Sequence, residues 1–439
     1  MDDSARVPAA SLASRAAVPA PTTPPAPAQG TSHPRLGSDT FSSLRFRDFR
    51  FLWFGTMFMS AGQWIQQVTL GWLLYDLTGS AVLLGALNGL RALPFLITGP
   101  VAGVAADRMD RQKLLLGIQV VLMSTAFLMG ILVASGYLEV WHLFVFSLIT
   151  ATAWSFNQPV RQTLVPSVVP RSHLVNAIAL NSLGFNMTKV AGPALGGILI
   201  ASFGPGGNFF VQATAYACVL LTISCIHTSF APGAGARHAS VFANLREGLH
   251  YVWSTPVVLA LMVASLIPNI LATYQALMPV FQKDVLKLGP DALGLMMAAP
   301  GVGAVLSALF LATISSRVRH KGRLLLVSLA LLGIFIVAFS RAESLPLSLL
   351  ALVGVGGAHI FYASMTNTIL QVIVPDELRG RVLSIYMLDH GLSPIGALIA
   401  GTSTHFFGAP ITLAVMGTGI LLLAIVVGFW MPQMRQLEA

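Results

Sequence analysis

The sequence predicts an all-α membrane protein in which twelve transmembrane helices form two pseudo-symmetric six-helix bundles. Three observations carry that expectation. Apolar runs of about twenty residues, the length a helix needs to cross hydrocarbon, recur from residue 51 to residue 431. The chain has 439 residues, 55% of them hydrophobic and 9% charged, with mean hydropathy +0.77; a water-facing globule carries roughly a quarter charged residues. The bases alternate by connection, with 20 of the 25 Lys and Arg in the N-terminal segment, in every second connection and near the C-terminus. Only Lys283, Lys287 and Arg341 fall on the other side, and Arg91 and Lys189 lie inside spans. By the positive-inside rule both termini are cytoplasmic and the number of crossings is even.

Residues 1–43 are rich in Ala, Pro, Ser and Thr and too poor in large apolar groups to fold, so a disordered cytoplasmic tail is expected there. The tail lacks the basic start and apolar core of a cleaved signal peptide, which leaves the first span to direct insertion. The first bundle, 44–229, has spans at about 51–74, 81–106, 114–136, 141–160, 174–202 and 208–229. A cytoplasmic linker, 230–255, begins Pro232-Gly233-Ala234-Gly235 and continues with Phe242, Leu245, Leu249 and Val252. Steps of three and four make one apolar helical face, suited to lying flat on the inner leaflet. The second bundle, 256–431, has spans at 256–281, 292–314, 323–340, 345–373, 382–407 and 411–431, and 432–439 is a short cytoplasmic tail. The halves echo each other: Val169-Pro170 corresponds to Val374-Pro375, and Gly192-Pro193 to Ser393-Pro394. Repeated halves around a central pathway are how many secondary transporters achieve alternating access.

Several classes are excluded. The net charge of +9 is spread over connections rather than gathered into a basic stripe with interleaved aromatics, so no nucleic-acid partner is expected. Cys218 and Cys225, seven positions apart on one helix, are roughly 10 Å apart and cannot bridge each other. None of the ten histidines pairs with a carboxylate on one helix face in the manner of a metal site, and no Gly-Lys-Ser/Thr phosphate loop occurs. Neither catalytic residues nor a metal or cofactor is therefore expected.

Between the second and third spans lie Gly103, Asp107, Arg108, Asp110, Arg111 and Lys113. A small residue lets helices approach closely, and a carboxylate among arginines can make bonds that form in one conformation and break in another. This Gly-xxx-Asp-Arg-xx-Arg run resembles the loop signature of the major facilitator superfamily. Asn157-Gln158-Pro159-Val160-Arg161-Gln162 and the Val374-Pro375 stretch with Glu377, Arg379, Gly380 and Arg381 resemble its drug exporter and enterobactin exporter branch, as do Trp72 to Ser80 and the Leu245 to Leu249 helix. The resemblance covers about residues 43–431. It implies a conformational latch joining Asp107, with Arg108 and Arg111, to Arg161 and the Arg379-Gly380 turn. Gly192, Pro193, Gly196 and Gly197 look like the Gly-Pro motif of the proton-coupled exporters, although Thr188 stands where that motif has its upstream glycine.

An ionisable group at mid-span costs at least about 2.5–3.5 kcal/mol on insertion scales, which makes each one a functional candidate. Those within spans are Arg91, Lys189, Asp389 and His390. Asp389 is the leading candidate for proton coupling, since low dielectric favours its neutral form. His390 is the alternative, and a permanently charged partnership of Asp389 with Arg91 or Lys189 is the structural one. Gln63, Gln66 and Gln67 share a helix face and are expected to line a central cavity, together with Asn88, Asn157, Gln158, Asn269, Gln275, His359 and Asn367. The resulting expectation is a monomeric exporter in the bacterial inner membrane. It moves an amphipathic drug-like or siderophore-like small molecule outward among membrane lipid, against protons. Lysophospholipid transport is the rival within the same fold, and a passive channel or sensor is the rival outside it.

Overall fold

The computed structural model describes residues 41–92, 94, 98, 109–227, 241–314, 320–390 and 392–431, with backbone alone at 158–159, 162–163, 241–245, 314 and 388–390. Nearly all of the described residues are helical. The first half contains α1 (Arg47–Thr78), α2 (Ala81–Leu90), α3 (Arg111–Ala134), α4 (Val140–Val168) and α5 (Leu174–Ser224). A short helix, α6 (Val241–Ser254), precedes the second half: α7 (Pro256–Leu271), α8 (Pro290–Ile314), α9 (Lys321–Ser340), α10 (Leu345–Ile373), α11 (Asp376–His390), α12 (Ser393–Phe407) and α13 (Ala409–Trp430).

Local chemistry sets the helix ends. Gly79 closes α1 in the left-handed region at φ 59°, and Ser80 caps α2 by accepting from the Leu83 N–H at 3.3 Å. Asp110 caps α3, its carboxylate accepting from the N–H groups of Gln112 at 2.9 Å and Lys113 at 3.2 Å. The fifth and sixth expected spans form one 51-residue helical run, broken where Gly204 adopts φ 71° and Pro205 follows. Beyond α7, residues 274–285 pass through short 3-10, α and π turns.

Seven helical segments among the described residues are long and apolar enough to cross a membrane: Arg111–Ala134, Arg171–Ser224, Pro256–Val285, Pro290–Thr313, Lys321–Ser340, Leu345–Ile373 and Ala409–Trp430. The helices α1 and α4 are also long, but polar residues turned inward, Gln66 and Thr69 on one and Thr150, Asn157 and Arg161 on the other, dilute their apolar runs. Most of the second expected span lies outside the described residues. The eleventh is divided between α11 and α12, so Pro394 opens a helix whereas Pro193 lies inside one, and the two anchors of the sequence repeat are locally unlike. Large apolar side chains such as Leu309, Phe310, Leu350 and Phe429 are exposed, as expected of a surface that meets lipid rather than water.

The halves meet where small residues allow backbone approach. A Cβ at Gly85 of α2 would stand 2.6 Å from the Ala397 carbonyl oxygen of α12, and one at Gly294 of α8 would stand 2.6 Å from the Pro193 carbonyl oxygen of α5. One buried apolar cluster spans both halves, from Leu70, Leu73 and Leu74 to Leu277, Phe281 and Met296, at the end away from the basic connections. At the basic end the core divides. Phe49, Leu115, Leu164 and Val219 belong to a cluster confined to the first half, and Leu261, Leu325, Ile369 and Val382 to one confined to the second half together with α6.

The linker helix packs more closely than a leaflet-bound helix would. Val252 is buried, Gly248 sits against Arg381 and Ile385 of α11, and Glu247 pairs with Arg381, while Leu249 and Trp253 point outward. The expected single apolar face is thus split at Leu249 and Val252; the side chains of Phe242 and Leu245 are outside the described residues.

Candidate functional site

Polar residues of α1, α4 and α5 fill the interior of the first half. Gln66 donates to Thr150 Oγ1 at 3.0 Å and accepts at Oε1 from Gln212 Nε2 at 2.7 Å and from the Tyr216 hydroxyl at 3.4 Å. Asn208 donates to Thr69 Oγ1 at 2.6 Å and to the Gly196 carbonyl at 3.2 Å, tying the second arm of α5 to α1 and to the first arm. These bonds satisfy groups that would be costly to strand in a low-dielectric interior.

The expected glutamine face is therefore divided. Gln66 is 3% exposed and serves helix packing, whereas Gln67 faces a narrow cavity of about 20 Å³ with Asn88, Arg91 and Gln275. The physical reason is the position of α1: it packs against α4 and α5 on one side and approaches the second half on the other, so neighbouring positions meet different surroundings. Gln63 is half-buried, and its Oε1 has no hydrogen-bond partner among the described residues. The narrow cavity lies between the halves and has room for about one water.

A larger chamber of about 330 Å³ opens beside α1, α4 and α5, lined by Thr56, Ser60, Arg161, Asn181, Ser182 and Asn186 on its polar side. Met59, Trp154 and Phe185 supply apolar wall. Arg161, which the family resemblance places in the latch, is 7% exposed and donates from Nη1 to Thr56 Oγ1 at 2.6 Å. Asn157 is fully buried beside the Met59 sulfur. Asn181, Ser182 and Asn186 are not among the expected lining residues, although their polar spacing on one helix is legible in the sequence.

The other candidates are dispersed. Gly103, Asp107 and Arg108 lie outside the described residues, as do the side chains of Gln158, Asp389 and His390. Arg111 begins α3 just after its cap. Arg379 pairs with Asp376 on its own helix at 2.5 Å, and no group stands within 4 Å of a Cβ at Gly380. Asn269 accepts from Tyr362 at 3.5 Å, the His359 ring meets the Tyr362 ring edge-on at 5.2 Å, and Asn367 accepts from Gln371 at 2.6 Å. Gly192 and Gly196 give α5 close contact with Trp64 and Ile65 of α1, while Pro193 and Gly197 meet α8, so one glycine-rich stretch joins both halves.

At the end away from the basic connections a clasp joins the halves. The Tyr75 hydroxyl donates to the Asp284 carboxylate, and Lys283 pairs with Asp76 at 2.7 Å. Both members of the ion pair are 43% exposed, and such pairs contribute about 0.2–1 kcal/mol. Lys283→Ala is accordingly expected to lower stability by less than about 1 kcal/mol, read by thermal unfolding of the detergent-solubilised protein. A larger loss would mean that this pair, rather than the surrounding apolar cluster, holds the end shut.

A helical membrane protein whose two halves enclose polar cavities has the architecture of a transporter. The chain belongs to the transmembrane secretion effector family of the major facilitator superfamily, whose pattern it matches over residues 38–439. It is 27% identical to the multidrug efflux pump Tap of Mycolicibacterium fortuitum, over 88% of this chain and 96% of that protein. It is 26% identical to the staphyloferrin A transporter of Staphylococcus aureus, over 84% of this chain and 92% of that one. Among solved structures, the nucleoside transporter NupG shares the fold with a TM-score of 0.73 and 11% identity, over 88% of this chain and all of NupG. The chain is thus a multi-pass transporter of the bacterial inner membrane, in a family of small-molecule efflux and siderophore carriers.

Proposed function

We propose that this protein exports an amphipathic small molecule by alternating access and proton antiport, as a monomer in the lipid bilayer with both termini cytoplasmic. The observation that carries the reading is the divided core: the halves share buried apolar packing at one end only, and at the basic end each keeps its own. With the basic connections cytoplasmic, that arrangement is an inward-open state. In this reading the two arms of α5 are separate crossings, α11 and α12 together make one, and the chain crosses twelve times. The relatives named for drug efflux and for siderophore transport favour outward movement of a drug-like or siderophore-like compound.

In this reading the latch of Asp107, Arg108, Arg111 and Arg161 with the Arg379-Gly380 turn assembles when the basic end closes. Arg379 and Arg381 are held meanwhile by Asp376 and Glu247. Asp389 takes up the proton, with His390 as the alternative. In proteoliposomes offered siderophores, dyes and lysolipids, an imposed pH gradient is expected to drive accumulation that a protonophore collapses. Asp389→Asn is expected to abolish the gradient-dependent part while binding and exchange persist. Gradient-driven uptake unchanged in that variant would remove Asp389 from the mechanism.

A further inference from the structure

Arg91, Arg161 and Lys189 all lie within the first half, and among the described residues none of them has a carboxylate partner. Arg161 forms part of the wall of the 330 Å³ chamber, and its Nε and Nη2 are buried without a hydrogen-bond partner among the described residues. The described lining of that chamber holds no Asp or Glu. Lys189 stands three and four positions beyond Asn186 and Phe185, which places it one turn further along the same face of α5. Arg91 lines the narrow cavity between the halves. A buried cation without a counter-charge is strongly unfavourable, and charge-assisted bonds to a carboxylate are the strongest that a guanidinium makes.

We propose that the transported molecule is an anion, a carboxylate-bearing amphiphile whose acidic group is held by Arg161 in the wall of this chamber, with Lys189 supplying a second positive charge one turn further along α5, beyond the chamber's described lining. Asn181, Ser182 and Asn186 offer further donors to its oxygens, and Trp154, Phe185 and Met59 receive its apolar body. The incoming carboxylate supplies the counter-charge that the described walls lack. This inference rests on the transport reading and names the substrate class for it.

Two xanthene dyes of opposite charge, fluorescein and rhodamine 123, test it by fluorescence anisotropy on the full-length protein in phosphatidylcholine nanodiscs. Fluorescein is expected to bind at least about tenfold tighter than rhodamine 123, and Lys189→Gln and Arg161→Gln each to weaken fluorescein about tenfold with little effect on rhodamine 123. Arg161→Lys, which keeps the charge, is expected to retain most of the preference. Should Arg161→Gln fail to fold, the half-buried Lys189→Gln decides alone. Equal or tighter binding of rhodamine 123, no saturable binding of fluorescein, or fluorescein affinity untouched by the variants each overturns the proposal. Binding needs no gradient, so charge preference without gradient-driven uptake sinks the proton-antiport part of the transport reading alone, and uptake without charge preference sinks this inference alone.

Discussion

Gly197→Val is expected to reduce transport about a hundredfold while leaving the protein folded. A Cβ at Gly197 would stand 2.6 Å from the Pro290 carbonyl oxygen and 2.7 Å from the Gly294 Cα. Both are backbone atoms of the opposite half, so no side-chain rotation relieves the overlap; α5 and α8 must separate. Overpacking costs about 1–3 kcal/mol, and a bias of that size between two states is a shift of about 5- to 150-fold. The cost falls on the state in which this end is closed, because the contact joins the halves. Folding of the first half is spared, since the atoms overlapped are Pro290 and Gly294 of the second half and not the partners of Gln66, Gln212, Thr69 and Asn208. Gly197→Ala should show the same sign with a smaller loss. Uptake into proteoliposomes, with thermal unfolding measured alongside, checks the expectation; normal transport by the valine variant would mean that this end need not close as tightly as it does here.

Gly303→Leu is expected to abolish folding of the second half. A Cβ on Gly303 of α8 would overlap the Val353 carbonyl oxygen of α10, and one on Gly356 of α10 would overlap the Pro300 carbonyl oxygen of α8. These contacts lie within one half, so the overlap burdens every conformation of the transport cycle instead of selecting among them. Gly303→Ala is expected to cost about 1–3 kcal/mol, and leucine more. Gly117 of α3 is the control, with no atom within 4 Å of its added Cβ; Gly117→Leu should stay within about 0.5 kcal/mol of the parent. Size-exclusion profiles and thermal unfolding in detergent separate these outcomes. A monodisperse, cooperatively unfolding Gly303→Leu protein would show that α8 and α10 can part without loss of the fold.

The helical segments from Arg111–Ala134 to Ala409–Trp430 are readable without coordinates because a continuous apolar run has one inexpensive place to be, inside hydrocarbon. The family resemblance was equally readable, carried by motif residues in and around the connections. The polar residues were another matter. Gln66 and Gln67 are adjacent in sequence and alike in chemistry, yet one bonds Thr150 and Gln212 while the other faces the cavity between the halves. Nothing local distinguishes them, because the difference lies in which neighbour each direction around α1 meets.

Hydropathy, charge placement and motif spacing are properties of the chain taken alone, and they determined membrane class, the recurrence of apolar segments and family. Tertiary structure decided the rest: the break at Gly204, the division of the eleventh expected span into α11 and α12, and the clasp of Tyr75 and Asp76 with Asp284 and Lys283. It also decided that Arg161 borders a chamber. The reason is one of range. Partition into a bilayer is summed residue by residue along a segment, whereas contacts such as Asp76 with Lys283 join positions distant in sequence and exist only when whole helices have docked.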